Sequence, residues 1–484
     1  MEQLSGLDTF FTLNEKRTSP MHIGALMLYD PVQSGRQPLR FDDVYQIFAD
    51  NLNKTPIFRR KLLSLPYHVD KPYWIDDNSF DLDQHVEVCS AAELSLPQDL
   101  WQLVARLHAN GLDMKRPLWR ATFIDDIDSI PGYVKGTTGL YLQVHHAAID
   151  GMSGAAILAA IHNLTDHSGP STEERDAWQP ERVSPRWWLA YKANNTRWVR
   201  GWRNASKTRE IVHDVQRLRE HVKARSPDQQ GNKWSSSPFN SRITRHRNIA
   251  VLNLALDEIK AVRRTQPGTT VNHVALTIVG GALRHYLIAH EVQPTESLAA
   301  GVPIDIRNRE SADGGNVLSI TMTALRTDLE NPRERLAAVR DAAIEAREKA
   351  AVLGETILLD LTSVLSPRTS ASLLKLFSIV SRLPFKKSMP INTVVSNVPG
   401  SPVDLYLAGA RMSNMHAFGL LMDGLGLFHT ATSYKDRFSI TALSCPECLP
   451  DIEFYQHCLE RSWLELRGEL GQQAGSARSA QARV

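Results

Sequence analysis

Cysteine is scarce in this chain, with four in 484 residues (Cys89, Cys445, Cys448 and Cys458). So few, so unevenly spread, exclude a disulfide framework. Cys445 and Cys448 form a C-x-x-C, but no second ligand pair stands at the spacing a structural zinc site needs, so they read as ordinary reduced thiols. Neither sign of charge is in excess: the formal net charge is +2, which supplies no global field for nucleic acid. The opening Met1-Glu2-Gln3-Leu4-Ser5 has no basic region followed by an apolar run, so no signal peptide is expected and the expected location is the cytoplasm. Long apolar runs are missing too. The most apolar segment, Val271 to His290, carries Asn272, His273, Arg284 and His285, which suits a buried helix and not a membrane span.

What is present is the composition of a globular protein, 42% hydrophobic and 22% charged. The length suits two domains of roughly 150–230 residues better than one core. His22 to Tyr29, Leu118 to Ile124 and Thr138 to His145 read as strands, and Phe41 to Asn53, Pro97 to Gly111 and Met152 to Leu164 as helices. That mixture predicts an α/β layered domain over residues 1–165. Residues 166–245, rich in Arg, Lys, Trp, Ser and Pro, read as a crossover with helical pieces at Pro185 to Lys207 and Arg209 to Lys223. A second α/β domain is expected over residues 246–470. Its strands are Ile249 to Leu256, Ser297 to Pro303, Val317 to Thr327, Ile391 to Val395, Gly409 to His416 and Phe438 to Ser444. Its helices are Val271 to His290, Pro332 to Ala351 and Ile452 to Leu470. Residues 471–484 are expected to be a disordered tail.

One constellation carries chemistry. His145-His146-Ala147-Ala148-Ile149-Asp150-Gly151 follows a strand and precedes a helix. A histidine is the natural base for an alcohol near neutral pH. Asp150 suits a cap or a loop brace, and Gly151 permits a tight turn beside the base. From spacing alone three readings stay open: general base, satisfied core histidines, or a metal site with Asp150. Adjacent strand residues point to opposite faces, which places the two histidines poorly for one metal.

The motif resembles that of the wax ester synthase/diacylglycerol acyltransferase family, within the chloramphenicol acetyltransferase-like superfamily. Further segments carry the same resemblance: Pro117-Leu118-Trp119, Ser396-Asn397-Val398-Pro399-Gly400, and Val302-Pro303 followed by Arg307-Asn308. Glu15-Lys16-Arg17 with Pro20-Met21-His22-Ile23-Gly24, and Asp423-Gly424 to Thr432-Ser433-Tyr434, are also similar. One departure stands out, because Asn272 is followed by His273 where the family carries N-D. Peptide-synthetase condensation domains share only the shorter H-x-x-x-D. The P-L-W and S-N-V-P-G segments argue against a condensation-type acyltransferase of the same fold. The intact His146 and Asp150 argue against a non-catalytic lipid-droplet-binding protein.

The resemblance implies two chloramphenicol acetyltransferase-like α/β sandwich domains with a channel between them and a helical crossover. It implies an O-acyltransferase that takes acyl-CoA as a substrate, needs no other cofactor and no metal, and esterifies a long-chain fatty alcohol or diacylglycerol to wax ester or triacylglycerol. His146 would take the hydroxyl proton, with no acyl-enzyme. His145, Asp150 and Gly151 complete the motif, and Arg59 would pair with Asp150. Trp119, Asn272, Ser396 and Asn397 are the candidate substrate-binding residues. The crossover adds a lipid reading of its own. Trp187, Tyr191, Trp198 and Trp202 fall on one helical face, and between Glu181 and Arg225 twelve Lys or Arg stand against four Asp or Glu. Such a face suits peripheral contact with a membrane or lipid inclusion, or packing against the protein.

Overall fold

A computed structural model describes residues 1–31, 38–65, 70–149, 153–166, 184–185, 187–188, 191, 237–305, 318–353 and 391–481. The first half runs β1 (Glu2–Gln3), α1 (Gly6–Asn14), β2 (His22–Asp30), α2 (Phe41–Asn51), β3 (Arg60–Leu63), β4 (Tyr73–Asp76), β5 (Val86–Ser90), α3 (Pro97–Ala109), β6 (Trp119–Asp125), β7 (Thr138–His145) and α4 (Ser153–Ile161). The second half runs β8 (Asn248–Ala255), α5 (Leu256–Arg264), α6 (Val271–Ala289), β9 (Ala299–Asp305), β10 (Leu318–Ala324), α7 (Pro332–Leu353), β11 (Thr393–Pro399), β12 (Tyr406–Leu407), β13 (Ala410–Phe418), β14 (Leu427–Tyr434), β15 (Arg437–Ser444) and α8 (Ile452–Gln481).

These strands build two six-stranded mixed sheets. The first has the order β12-β13-β2-β7-β6-β5 and the second β10-β9-β11-β14-β15-β8. A small third sheet, β1-β4-β3, flanks the first. β7 shows why the first sheet sits where it does. Leu140, Leu142 and Val144 enter the core shared with α2 and α4, while Tyr141 faces the core shared with α3 and with Ile249, Val251 and Leu443 of the second sheet. All eight residues of the strand are buried, so both of its faces are covered. α5, α6, α7 and α8 pack on the second sheet around Leu276, Ile278, Leu336, Tyr455 and Leu459.

Two expectations need correction. The strand near Gly409–His416 does not complete the second sheet. As β13 it pairs antiparallel with β2, Met415 opposite Met27 and Phe418 opposite Gly24, so the second half donates a strand to the first sheet. Alternation identifies a strand but carries no information on its partner. The tail is also not structureless throughout, because α8 continues to Gln481. Its end is rich in Ala, Gln and Arg, which are good helix formers, and contains no proline. Trp198, Trp202 and both crossover helices beyond Tyr191 lie outside the described residues, as do Arg307 and Asn308.

Candidate active site

β7 delivers the paired histidines. It ends at His145, and a single 3-10 turn, His146–Ala148, follows. The backbone N–H of His146 donates to the Met21 carbonyl at 2.8 Å, tying the turn to the strand entrance of β2. His145 is tied to the fold through its ring. Its Nδ1 accepts the Ala147 N–H at 3.1 Å, which places the ring proton on Nε2, and Nε2 faces Glu15 Oε2 at 3.4 Å. The same Glu15 oxygen accepts the N–H of Met21. His145 is thus a brace.

His146 has different surroundings. Its imidazole stacks on Phe11 of α1, ring centroids 3.9 Å apart and planes 21° from parallel. Nδ1 is buried and meets no hydrogen-bond partner on another residue among the described ones, while the residue as a whole keeps part of its surface open. Burial pushes its pKa down to about 4. A hydrogen bond to its own backbone carbonyl works the other way, and the neighbouring His145 adds to the depression. At pH 7 the ring is therefore neutral and carries a free lone pair. The surrounding wall is apolar: Leu4, Leu7, Met21, Ala147 and Leu420, with Met422 at its margin. Leu420 and Met422 belong to the second half, and Ser19 Oγ donates to the Leu421 carbonyl at 2.6 Å, so both halves of the chain meet here.

The other candidates are spread more widely. Asp150 and Gly151 lie outside the described residues. Trp119 is 1% exposed in the core of the first domain, with its indole N–H donating to the Phe58 carbonyl at 3.1 Å. It stacks on Phe48 and His85, which leaves no free face for a substrate. Arg59 follows a 3-10 turn, Pro56–Phe58, and its guanidinium carbon lies 5.6 Å from the Phe80 ring centroid. Ser396 and Asn397 sit on β11 beside Thr430 and Ala431 of β14, Ser396 half-buried and Asn397 exposed. Asn272 lies in the first turn of α6, its Oδ1 buried without a hydrogen-bond partner among the described residues. No hydrogen bond or ion pair among the described residues links Asn272, Ser396 or Asn397 to either histidine.

The unusual His273 has a structural job. It caps α6, its N–H donating to Thr270 Oγ1 at 3.2 Å and its Nδ1 accepting the Thr270 N–H at 3.2 Å. This is the reciprocal pair that an acidic side chain at that position usually makes. Phe11 was missed by motif reasoning, and Glu15 stood in a family-like segment with no role assigned to it. Neither belongs to the histidine motif, and the one local signal is the Ser5/Asp8 capping box that starts α1. No group of three or more His, Cys, Asp or Glu side chains placed to hold a metal ion occurs among the described residues.

Residues 4–275 match the wax ester synthase/diacylglycerol acyltransferase catalytic domain, and residues 314–467 match the WS/DGAT C-terminal domain. A putative diacylglycerol O-acyltransferase of Mycobacterium tuberculosis (strain H37Rv) is 29% identical, covering 97% of this chain and 100% of the relative. The O-acyltransferase WSD of Acinetobacter baylyi is 26% identical, with 94% of each chain covered. Among solved structures, the wax ester synthase/diacylglycerol acyltransferase from Marinobacter aquaeolei VT8 superposes with a TM-score of 0.67 at 24% identity, covering 97% of this chain and 100% of that one.

Proposed function

Because the chain belongs to the wax ester synthase/diacylglycerol acyltransferase family and is an O-acyltransferase, we propose that it transfers a fatty acyl group from acyl-CoA to a long-chain alcohol or diacylglycerol, with His146 as general base. The observation that carries this reading is the state of His146: neutral at pH 7, Nδ1 buried, and stacked on Phe11 of an apolar cluster, surroundings that suit an acceptor hydroxyl on a hydrocarbon chain. Nε2 is the nitrogen left for chemistry. It takes the hydroxyl proton as the oxygen attacks the thioester carbonyl carbon. The tetrahedral intermediate then collapses, the C–S bond breaks, and the proton passes from Nε2 to the departing thiolate. A positioned base of this kind contributes about 10²–10⁴-fold. No side chain is acylated and no cofactor or metal takes part in the steps as written.

Contact with a lipid surface belongs to the same proposal. Among the described residues no helix is long and apolar enough to cross a membrane. Trp187, Trp188 and Tyr191 are 71%, 45% and 56% exposed, and Trp188 stacks on Tyr191 at 5.6 Å. Exposed aromatics in the most basic stretch of the chain suit an anionic interface. The reaction is tested by incubating the purified protein with palmitoyl-CoA and either hexadecanol or diacylglycerol. Thiol release matched by ester is the expected result. Neither acceptor supporting release, or an acyl adduct on the protein after palmitoyl-CoA alone, would overturn it.

A further inference from the structure

The orientation of a working histidine is usually fixed by a hydrogen bond to its second nitrogen. For His146 no other described residue supplies one, whereas His145 Nδ1 accepts the Ala147 N–H and its Nε2 lies 3.4 Å from Glu15 without a hydrogen bond. The backbone bond from His146 to Met21 fixes where the turn lies but leaves the side-chain torsions free. Besides the ring's contact with its own backbone carbonyl, the described group that lies against the ring plane is Phe11. We propose that Phe11 is a positioning residue for the base: its ring, stacked on the imidazole at 3.9 Å and 21°, aims Nε2 at the acceptor hydroxyl and keeps water off one imidazole face. This deepens the reading of His146 as the base and rests on it.

Phe11 is itself well anchored. It is 7% exposed, and Phe10 abuts it edge-on at 5.5 Å. α1 starts in the Ser5/Asp8 capping box, and the chain before it is tied down where Leu4 N–H donates to the Pro72 carbonyl at 2.9 Å. The helix therefore arrives as a rigid support, and the stack is a property of the fold. The charged and titratable groups around the imidazole are few. On β7 there is His145, the titratable neighbour in sequence. Glu15, after α1, faces His145, and the Asp8 carboxylate on α1 accepts from Ser5 in the cap. Water exclusion by Phe11 is thus the lever on the ring's protonation that a single substitution can remove.

The test is the rate of thiol release from palmitoyl-CoA with hexadecanol, measured from pH 5.5 to 8 with the fold confirmed at each pH, a range over which the parent should be level, for the parent, Phe11→Ala, Phe11→Leu and Phe11→Tyr. Misplacing a reacting group by about 1 Å costs on the order of 10²-fold. Phe11→Ala should therefore lower kcat by about 10- to 100-fold with KM for both substrates within about twofold. The acid limb of kcat/KM should move up toward the ordinary histidine value of about 6.5. Phe11→Tyr, which restores an aromatic ring, should recover both. If Phe11→Ala fails to fold, Phe11→Leu fills the space without a ring and should show the same kcat loss. A parental kcat and acid limb in the Ala or Leu variant, or a loss confined to KM, overturns the positioning role. His146→Ala is run alongside. Full activity there refutes the base itself, whereas loss there with parental Phe11 variants refutes only the stack.

Discussion

Lowering the pH should unfold this protein in a narrow window, because its histidines are buried neutral. Burial depresses the pKa of His108, His416 and His429 to about 3, and of His146 and His162 to about 4. In the unfolded chain each returns to about 6.5. The sign follows directly: between those values the unfolded state binds more protons, so stability is intact above pH 6.5 and is lost as pH falls toward 4. Each histidine contributes a slope of up to about 1.4 kcal/mol per pH unit, so five titrating together approach about 7 kcal/mol per unit. Against a total stability of about 5–15 kcal/mol, one or two units decide the outcome. Asp77 and Glu465, whose pKa values are lowered by hydrogen-bonded and charged partners, lose their contribution in the same direction at still lower pH. The assay is urea unfolding followed by tryptophan fluorescence at half-unit steps from pH 7.5 to 5. The midpoint should hold above pH 7 and fall steeply below 6.5. His416→Leu should flatten that slope, since one proton fewer is taken up. A midpoint that stays level from pH 7.5 to 5 would refute the reasoning.

Other outcomes follow from single contacts. Trp119→Phe keeps a ring but drops the N–H that serves the Phe58 carbonyl, so it should cost about 1–3 kcal/mol of stability and leave KM for acyl-CoA unchanged. A raised KM at parental stability would place Trp119 against the substrate after all. Glu15→Ala strips the acceptor of the Met21 N–H, the carboxylate that also faces His145 Nε2, and should lower the urea midpoint by the equivalent of about 1–3 kcal/mol, whereas Glu15→Gln, which keeps an acceptor oxygen, should recover most of it. Trp187→Ala combined with Tyr191→Ala should reduce flotation with anionic vesicles at low and high salt alike, because aromatic insertion is not screened. Undiminished flotation would remove these aromatics from the interface.

Much of the fold is legible in the sequence where a pattern is local. β7 starts and ends at Thr138 and His145, where its alternation begins and ends, and α6 covers the apolar run from Val271 to Ala289. Sheet membership is not local. β13 carries a strand pattern but joins the first sheet because burial of Met412 and Met415 is available there, across more than 380 residues of chain from β2. The three-stranded β1-β4-β3 sheet is built from strands of two and four residues, too short for any period to register. The site divides along the same line. His145 and His146 are visible as a motif, but the division of labour between them depends on Glu15 and Phe11, which come from another part of the chain. Trp119 shows the opposite failure. Its tripeptide identifies the family, while its side chain serves the core.

The central claim, that His146 is the base and His145 its brace, is tested most directly by thiol release from palmitoyl-CoA with hexadecanol in two single variants of confirmed fold. His146→Ala should lose at least about 10²-fold in kcat at pH 7. His145→Ala should keep a substantial part of the parental rate, because it removes a support and leaves Nε2 of His146 in place. Equal losses in both variants, or a parental rate in His146→Ala, would contradict the account.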